Sequence, residues 1–430
     1  MNRIKKRFPF PIQDLDIIKR RMLHWANQGN ILLFLDSNHY RHTEGKYECI
    51  CAVDASHQII NDDGKFSQIK HHFEQHQDWL FGHINYDFKN KLERLGSNHK
   101  AQFDFPDSHF FCPETVLFIS RSETFLCIES LTRSPDDVWT EIMNTDFVAD
   151  SIVSGKVAFE KRIGQDEYLD IIRQLRTHIR QGDCYEINFC NENFAKEYGI
   201  NPLTVFDELN SVSRAPFAAY YRLQDQYLMC ASPERFLRKE GTRICAQPIK
   251  GTARRLPDAA KDEEQKSELL ESIKERAENV MIVDLMRNDL ARFCDVGTVD
   301  VDELFGIYSF PQVHQMISTI SGRLSDSVNL FDALLYAFPM GSMTGAPKVI
   351  VMKLIEQYEK ARRELFSGTV GYISPEGNFD FNVVIRSLLY NAQSGYLSFQ
   401  TGGAITYDSV PEQEWEETLL KAMAIEKIFK

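Results

Sequence analysis

Glu275 and Glu278 stand three residues apart in a helix-favouring stretch, so both carboxylates fall on one helix face. Asp284, six residues beyond Glu278, lies just off that face. Near the C-terminus Glu414, Glu417 and Lys421 repeat the arrangement at i, i+3 and i+7. The run Val280 to Leu285 is apolar enough to be expected in the core, and a buried carboxylate must be neutral, paired or bound to a metal. Two such helices facing each other would offer Mg²⁺ its oxygen ligands, with water or substrate completing the shell. Lys250 lies between Pro248-Ile249 and Gly251-Thr252. In apolar surroundings desolvation is expected to lower a lysine's pKa and make it a nucleophile. Taken singly, the glutamate pairs read rather as a solvated helix face, and Lys250 as a surface residue at a turn.

Other site types fail on their spacing. His72 and His76 have the separation of a helical metal pair, but Glu74 is one position off the zinc-protease pattern and Lys70 and Gln75 mark a solvated face. Gly341-Ser-Met-Thr-Gly-Ala-Pro-Lys348 fails as a P-loop, because Ala346 replaces its second glycine and Pro347 stands where its lysine should be. No G-x-G-x-x-G opens a helix and no G-x-S-x-G elbow occurs. Only His178 and His314 lie beyond residue 110, so histidine-centred catalysis is poorly supported.

These residues must be held by a mixture of helices and short strands. Tyr168, Ile171, Ile172, Leu175 and Ile179 make one helix face, with Asp166 expected to cap its start and Gly182-Asp183 to end it. A strand is expected over Tyr185 to Phe194, and another over Tyr227 to Ala231. Residues 258–291 read as one long helical stretch, and a last helix starts at Pro411 after Asp408-Ser409. Pro248 to Thr252, Pro339 to Pro347 and Gly402-Gly403 read as loops, where chemistry tends to sit. The polar stretch Thr145 to Lys156 is a candidate link between an N-terminal α/β region and the rest.

Composition narrows the class. The 430 residues allow about three domains as a prior, or one large mixed body. A net charge of −13, from 62 acidic and 49 basic residues without a basic patch, argues against a nucleic-acid partner. Nine cysteines without metal-ligand or disulfide spacing fit a reducing compartment. No signal-peptide pattern and no membrane span is present, so a soluble, cytoplasmic protein with no membrane partner is expected.

Nine ordered segments resemble one family, the chorismate-utilising enzymes, which include component I of anthranilate synthase and of aminodeoxychorismate synthase. They are Gly182-Asp-Cys-Tyr-Glu-Ile-Asn188, Ser232-Pro-Glu-Arg-Phe236, Pro248-Ile-Lys-Gly-Thr252 and Arg276-Ala-Glu-Asn through Asp284-Leu-Met-Arg-Asn-Asp289. Gly341 to Lys348, Gly371-Tyr372, Ile385-Arg386 and Gly402-Gly403 continue the series, followed by Glu417-Thr418. Gly82-His-Ile-Asn-Tyr-Asp87 is similar to a weaker N-terminal signature of the amine-transferring branch. The resemblance implies an α+β fold, one large body of two packed β-sheets surrounded by helices. It places an N-terminal α/β region at 1–155 and a chorismate-binding catalytic region at 156–430.

Three positions indicate the branch. Members that add water carry a lysine base where Glu186 stands. Anthranilate synthases usually carry alanine at the position of Lys250, whereas the aminodeoxychorismate synthase branch has a lysine acting as covalent nucleophile. No glutaminase signature is present, so ammonia is expected from a separate glutamine amidotransferase subunit. The resemblance thus implies Mg²⁺-dependent amination of chorismate to 4-amino-4-deoxychorismate, in para-aminobenzoate and folate biosynthesis. Lys250 would attack C2 as the C4 hydroxyl leaves, with Glu234 as the acid; ammonia would then attack C4 and expel the lysine. Glu278 and Glu417 would hold Mg²⁺, with Glu275 and Glu414 nearby or ligating through water. Arg386, Lys421 and the backbone at Gly402 and Gly403 would bind carboxylates, and Gly251, Thr252 and Thr344 would line the pocket.

Some positions depart from the family pattern. Gln315 aligns with a histidine associated with pyruvate elimination, with His314 one position earlier. Phe366 stands where tyrosine is frequent, Ala404 replaces a common glycine, and Glu186 replaces the glutamine usual in amine-transferring members. Leu35-Asp36-Ser37 is only faintly similar to the family's tryptophan-pocket motif, so no feedback regulation is expected. The alternatives are anthranilate synthase component I and a catalytically silent chorismate-binding subunit.

Overall fold

Strands in this chain bury both faces, which explains why their sequences run apolar without a clean polar alternation. Along the strand Ile31–Asp36, Ile31 and Leu33 enter one apolar core while Leu32 and Phe34 enter another. Its neighbour Phe217–Leu223 does the same, with Tyr221 on the first side and Tyr220 on the second. The computed structural model describes residues 2–40, 44–61, 63–121, 123–146, 157–311 and 313–429. The 155/156 junction and most of the polar stretch at 145–156 lie outside the described residues.

Among the described residues twenty strands join in one hydrogen-bonded antiparallel network with helices packed around it, the α+β architecture expected. The network folds over a central core that includes Trp79, Phe81, Tyr221 and Tyr372, with further cores between sheet and helices. Strands from the first third pair with strands from the rest: Ile31–Asp36 with Phe217–Leu223, and Leu80–Ile84 with Thr369–Ile373. No helix among the described residues is long and apolar enough to cross a membrane.

The helix expected from residue 165 spans Gln165–Gln181, buries Tyr168, Ile171, Ile172 and Leu175, and ends at Gly182 with φ 84°. Its N-cap is Gly164 rather than Asp166, which sits in the first turn where its charge favours the helix dipole. The stretch 258–291 is two helices, Ala259–Glu271 and Ile273–Ala291, because Ser272 turns its side chain to accept from the Glu275 N–H. Val280 is exposed, contrary to expectation; the buried face of the second helix runs through Asn279, Ile282, Val283, Met286 and Leu290. The last helix spans Pro411–Glu426, with Pro411 in its first turn.

Two of the three expected loops are strands. Lys250 to Thr252 belong to Ile249–Arg254, and Gly402-Gly403 to Tyr396–Ile405. Within Pro339–Pro347 a single 3-10 turn, Gly341–Met343, leads into the two-residue strand Gly345–Ala346, which pairs with Ile187 and Glu186.

Candidate active site

The strand carrying Lys250 pairs with Val313–Arg323, and its register breaks between Ile249 and Thr252. An extra residue in one strand bends it and re-aims its side chains. Gly251 carries the break at φ 92°, in space bounded by the Glu275 carboxylate and Leu269. Lys250 is thereby turned inward, to 9% exposure, where its Nζ donates to Glu186 Oε1. Glu186 itself is 1% exposed and opens the strand Glu186–Ala195. The surroundings of Lys250 are acidic rather than apolar, and this reverses the expected pKa shift. Burial acts to lower the pKa, but the charge and hydrogen bond of Glu186, then Glu278 and Glu234, raise it above the ordinary lysine value.

Glu234 follows the strand Gln226–Ser232 and is 4% exposed. Burial pushes its carboxyl up to about 7, against the opposing pull of the Ser342 hydroxyl, Lys250 and Arg386. It is therefore a carboxylic acid over part of the neutral range, poised to give up a proton. Arg386 has φ 50° and is exposed; its guanidinium has no hydrogen-bond or ion-pair partner among the described residues.

The two glutamate pairs meet across the helices Ile273–Ala291 and Pro411–Glu426. Glu278 is half-buried and pushed up to about 7 by burial, with Lys250 opposing and Glu186 and Glu275 adding to the rise. Glu275 is raised by burial and by Glu417, and Glu414 by burial and by Glu417. Burial also acts to raise Glu417, but the Lys421 ammonium 2.7 Å away brings it below the ordinary range. A Cβ at Gly403 would lie 3.3 Å from Glu414 Oε2 and 3.8 Å from Glu417 Oε1, so the bare backbone there makes room for both carboxylates. Among the described residues no three His, Cys, Asp or Glu side chains form a ready-made metal shell. A metal held here would use one or two of these carboxylates and complete its shell elsewhere.

A buried ion pair holds this site together from behind. Arg363 donates to Met343 O at 2.6 Å, to Asn188 O at 2.7 Å and to both oxygens of Glu359, while Glu359 Oε1 also accepts the Cys190 N–H at 2.9 Å. The guanidinium thus ties the Gly341–Met343 turn to the Glu186 strand, with every charge satisfied. Lys348, in the glycine-rich segment rejected as a P-loop, is engaged by Asp289 at 2.7 Å.

The sequence matches the chorismate binding enzyme family over residues 31–427. This chain belongs to that family. Aminodeoxychorismate synthase component 1 of Klebsiella aerogenes is 36% identical to it over 347 residues, 80% of this chain and 75% of that protein. Anthranilate synthase component 1 of Thermus thermophilus is 32% identical over 356 residues, 81% of this chain and 76% of that protein. Among solved structures, anthranilate synthase component I from Streptococcus pneumoniae TIGR4 superposes with a TM-score of 0.76 at 23% identity, covering 90% of this chain and 93% of that one. A likeness at that identity carries the fold alone.

In this chorismate-binding enzyme the structure brings Lys250, Glu234 and the four glutamates around one space. Thr252 is exposed, whereas Thr344 is fully buried and donates to Met340 O at 2.9 Å, so its hydroxyl braces the turn. Gly402 pairs with Cys190 and Gly403 with Phe189, and Lys421 reaches back to donate to Gly402 O at 2.7 Å. Ser342 and the Arg363–Glu359 pair escape sequence reading as site residues, whereas Glu186 is read there as a branch-marking departure from the family pattern. Ser342 and Glu186 lie inside the family-like segments, so position was available as a signal; Arg363 and Glu359 lie outside them and left none. His314 is engaged by Asp262 and by Ser309, at 3.1 and 2.8 Å, while Gln315 lies opposite Thr252 in the ladder with its Oε1 unpartnered. Leu35, Asp36 and Ser37 line a separate cavity with Tyr47, Arg121 and Tyr372, where buried Lys19 donates to Asp36 at 2.8 Å and also to Glu48. None of the site residues above lines it.

Proposed function

We propose that this enzyme aminates chorismate with ammonia to give 4-amino-4-deoxychorismate, the precursor of para-aminobenzoate, through a covalent bond to Lys250. The observation that carries the reading is a buried lysine whose amine meets one carboxylate while a second, Glu234, stands by with a pKa of about 7. Similarity to proteins named aminodeoxychorismate synthase component 1 supports the same branch. The designation of those relatives as a component supports a second subunit, which we take to be a glutamine amidotransferase releasing ammonia.

Chorismate presents two carboxylates, an enolpyruvyl ether and a C4 hydroxyl on a cyclohexadiene ring. Arg386, with its guanidinium unengaged among the described residues, suits one carboxylate, and Lys421 the other. The Lys250 amine would attack C2, both ring double bonds would shift by one position, and the C4–O bond would break. Hydroxide is a poor leaving group, so Glu234 would protonate it to water. Ammonia would then attack C4, the double bonds would shift back, and Lys250 would leave from C2. Two such displacements give net retention at C4.

Mg²⁺ fits the donor set, because burial and mutual repulsion raise Glu275, Glu278 and Glu414 even with Lys250, Lys274 and Lys421 nearby. Glu278 and Glu417 would hold it, with Glu275 and Glu414 nearby or acting through water. When bound it supplies positive charge that lets an anionic substrate approach an acidic site.

One assay decides between branches: the purified chain with chorismate, Mg²⁺ and ammonium, the product identified by mass spectrometry. 4-Amino-4-deoxychorismate supports the reading. Anthranilate with pyruvate would overturn it in favour of anthranilate synthase chemistry, and no turnover in favour of a silent chorismate binder.

A further inference from the structure

We propose that Glu186 is the base that takes the Lys250 proton and so converts the resting ammonium into the attacking amine; this deepens, and rests on, the covalent reading above. An ammonium has no lone pair and cannot attack C2. Among the described residues the side chain bonded to Lys250 Nζ is Glu186, through Oε1. The neighbouring carboxyls are differently employed. Glu234 Oε1 accepts from Ser342 Oγ at 2.6 Å and is needed as the acid, while Glu278 acts on Lys250 through charge without a hydrogen bond to it.

The setting of Glu186 argues for proton traffic over a structural ion pair. Its backbone is fixed by pairing with Ala346, and a Cβ at Gly345 would lie 2.1 Å from Glu186 O, so the carboxylate stands on a rigid support. Its second oxygen, Oε2, is buried without a hydrogen-bond partner. A structural carboxylate in the interior normally has both oxygens satisfied. The bare oxygen leaves a position to hold or pass a proton. The charged groups around the pair are Glu278 and Glu275 on the helix Ile273–Ala291, Glu234 after the strand Gln226–Ser232, Glu417 on the last helix and, beyond Glu234, Arg386.

The cycle closes in protons and charge. Lys250 gives one proton to Glu186 Oε1, and its freed electron pair makes the N–C2 bond as the C4–O bond breaks. The hydroxyl leaves as water with the Glu234 proton, and the adduct nitrogen is a secondary ammonium. Ammonia forms the C4–N bond, and Lys250 departs from C2 as neutral amine. The product ammonium returns a proton to Glu234, and Glu186 returns its proton to Lys250.

The test is adduct formation without ammonia, followed by intact mass as a gain of chorismate less water, from about pH 6 to about pH 9. Wild type is expected to lose rate as pH rises through about 7, where Glu234 gives up the proton that the step needs. Glu186→Gln keeps the size and a hydrogen bond but accepts no proton. It should react about 100-fold more slowly near neutrality, narrow that deficit relative to wild type as rising pH frees the Lys250 amine, and retain chorismate protection against thermal unfolding. Glu186→Asp, which restores a carboxylate, should recover part of the rate and the wild-type profile. A Gln variant with wild-type rate and profile would overturn the role of Glu186 while leaving the covalent lysine intact. Wild-type turnover with no adduct at any pH would overturn both.

Discussion

Ser342 Oγ donates to Glu234 Oε1 at 2.6 Å, joining the end of the Gln226–Ser232 strand to the glycine-rich turn that Arg363 pins from the other side. A hydroxyl donor stabilises the ionised carboxylate, so this bond restrains the upward push of burial. Two segments far apart in sequence thus set the proton affinity of one carboxyl group.

Ser342→Ala should raise the Glu234 pKa further above 7, by about half to one unit for one lost hydrogen bond. As the proposed acid, Glu234 must be protonated, so activity is expected to fall as pH rises through its pKa. The alkaline limb of kcat/KM against pH should therefore move upward in the variant. A limb that stays put would separate Glu234 from that titration.

Glu234→Gln should lower kcat by about 100-fold or more, because water no longer leaves with a ready proton. Its effect on stability has a defined sign. The carboxyl is raised from 4.5 to about 7 on folding, so its contribution is complete below pH 4.5 and is lost as pH rises through about 7. The full span is on the order of 3 kcal/mol. Urea unfolding of wild type should weaken across that window by an amount the Gln variant lacks, so the variant gains on wild type at higher pH.

Lys250→Ala should abolish amination and the trapped adduct together; retained activity would remove the covalent mechanism. The variant also leaves Glu186 buried without its cation. Breaking such a pair costs about 3 kcal/mol or more. The loss should be larger at pH 8 than at pH 5, where the surrounding carboxyls take up protons, and thermal unfolding at the two pH values measures it.

How far the sequence could be read depends on whether a residue's neighbours were local. The helix Gln165–Gln181 follows from its own periodicity, because its apolar face and terminal Gly182 need no knowledge of the rest of the chain. The break at Ser272 was also legible, since Ser272-Ile-Lys-Glu275 is a capping-box pattern, but the helix formers on both sides conceal it. Gly251 and Gly402-Gly403 read as loops because glycine usually punctuates; partners distant in sequence, Gln315, Cys190 and Phe189, hold these segments in strands. Lys250 and the glutamates were legible by type and spacing. The sign of the lysine's pKa shift was not, because it depends on Glu186, Glu234 and Glu278 arriving from three other segments.

Gly251→Ala should test whether the break in register matters. A side chain there meets φ 92° and lies 3.1 Å from Glu275 Oε2 and 3.2 Å from Leu269 Cδ1. Relief requires the strand to shift, and Lys250 is the adjacent residue. We expect a loss of about 1–3 kcal/mol in urea unfolding and a fall in kcat out of proportion to any change in chorismate KM. A rise in KM with kcat unchanged would mean that the turn serves binding alone.

The Mg²⁺ site proposed at the carboxylates around Gly403 predicts metal dependence. Chelation should abolish turnover while leaving the chain folded, because the four glutamates stand on helices fixed by packing rather than by a metal. Glu278→Gln and Glu417→Gln should each raise the Mg²⁺ concentration for half-maximal activity by about tenfold or more. Glu275→Gln and Glu414→Gln should shift it less, as expected of groups acting through water. Lys421→Ala provides a control of opposite sign, since it releases Glu417 from a competing cation 2.7 Å away and should lower the Mg²⁺ requirement even as it weakens chorismate binding. Mg²⁺ titrations of initial rate at fixed chorismate distinguish these outcomes, and a requirement unchanged in all four glutamine variants would put the metal elsewhere.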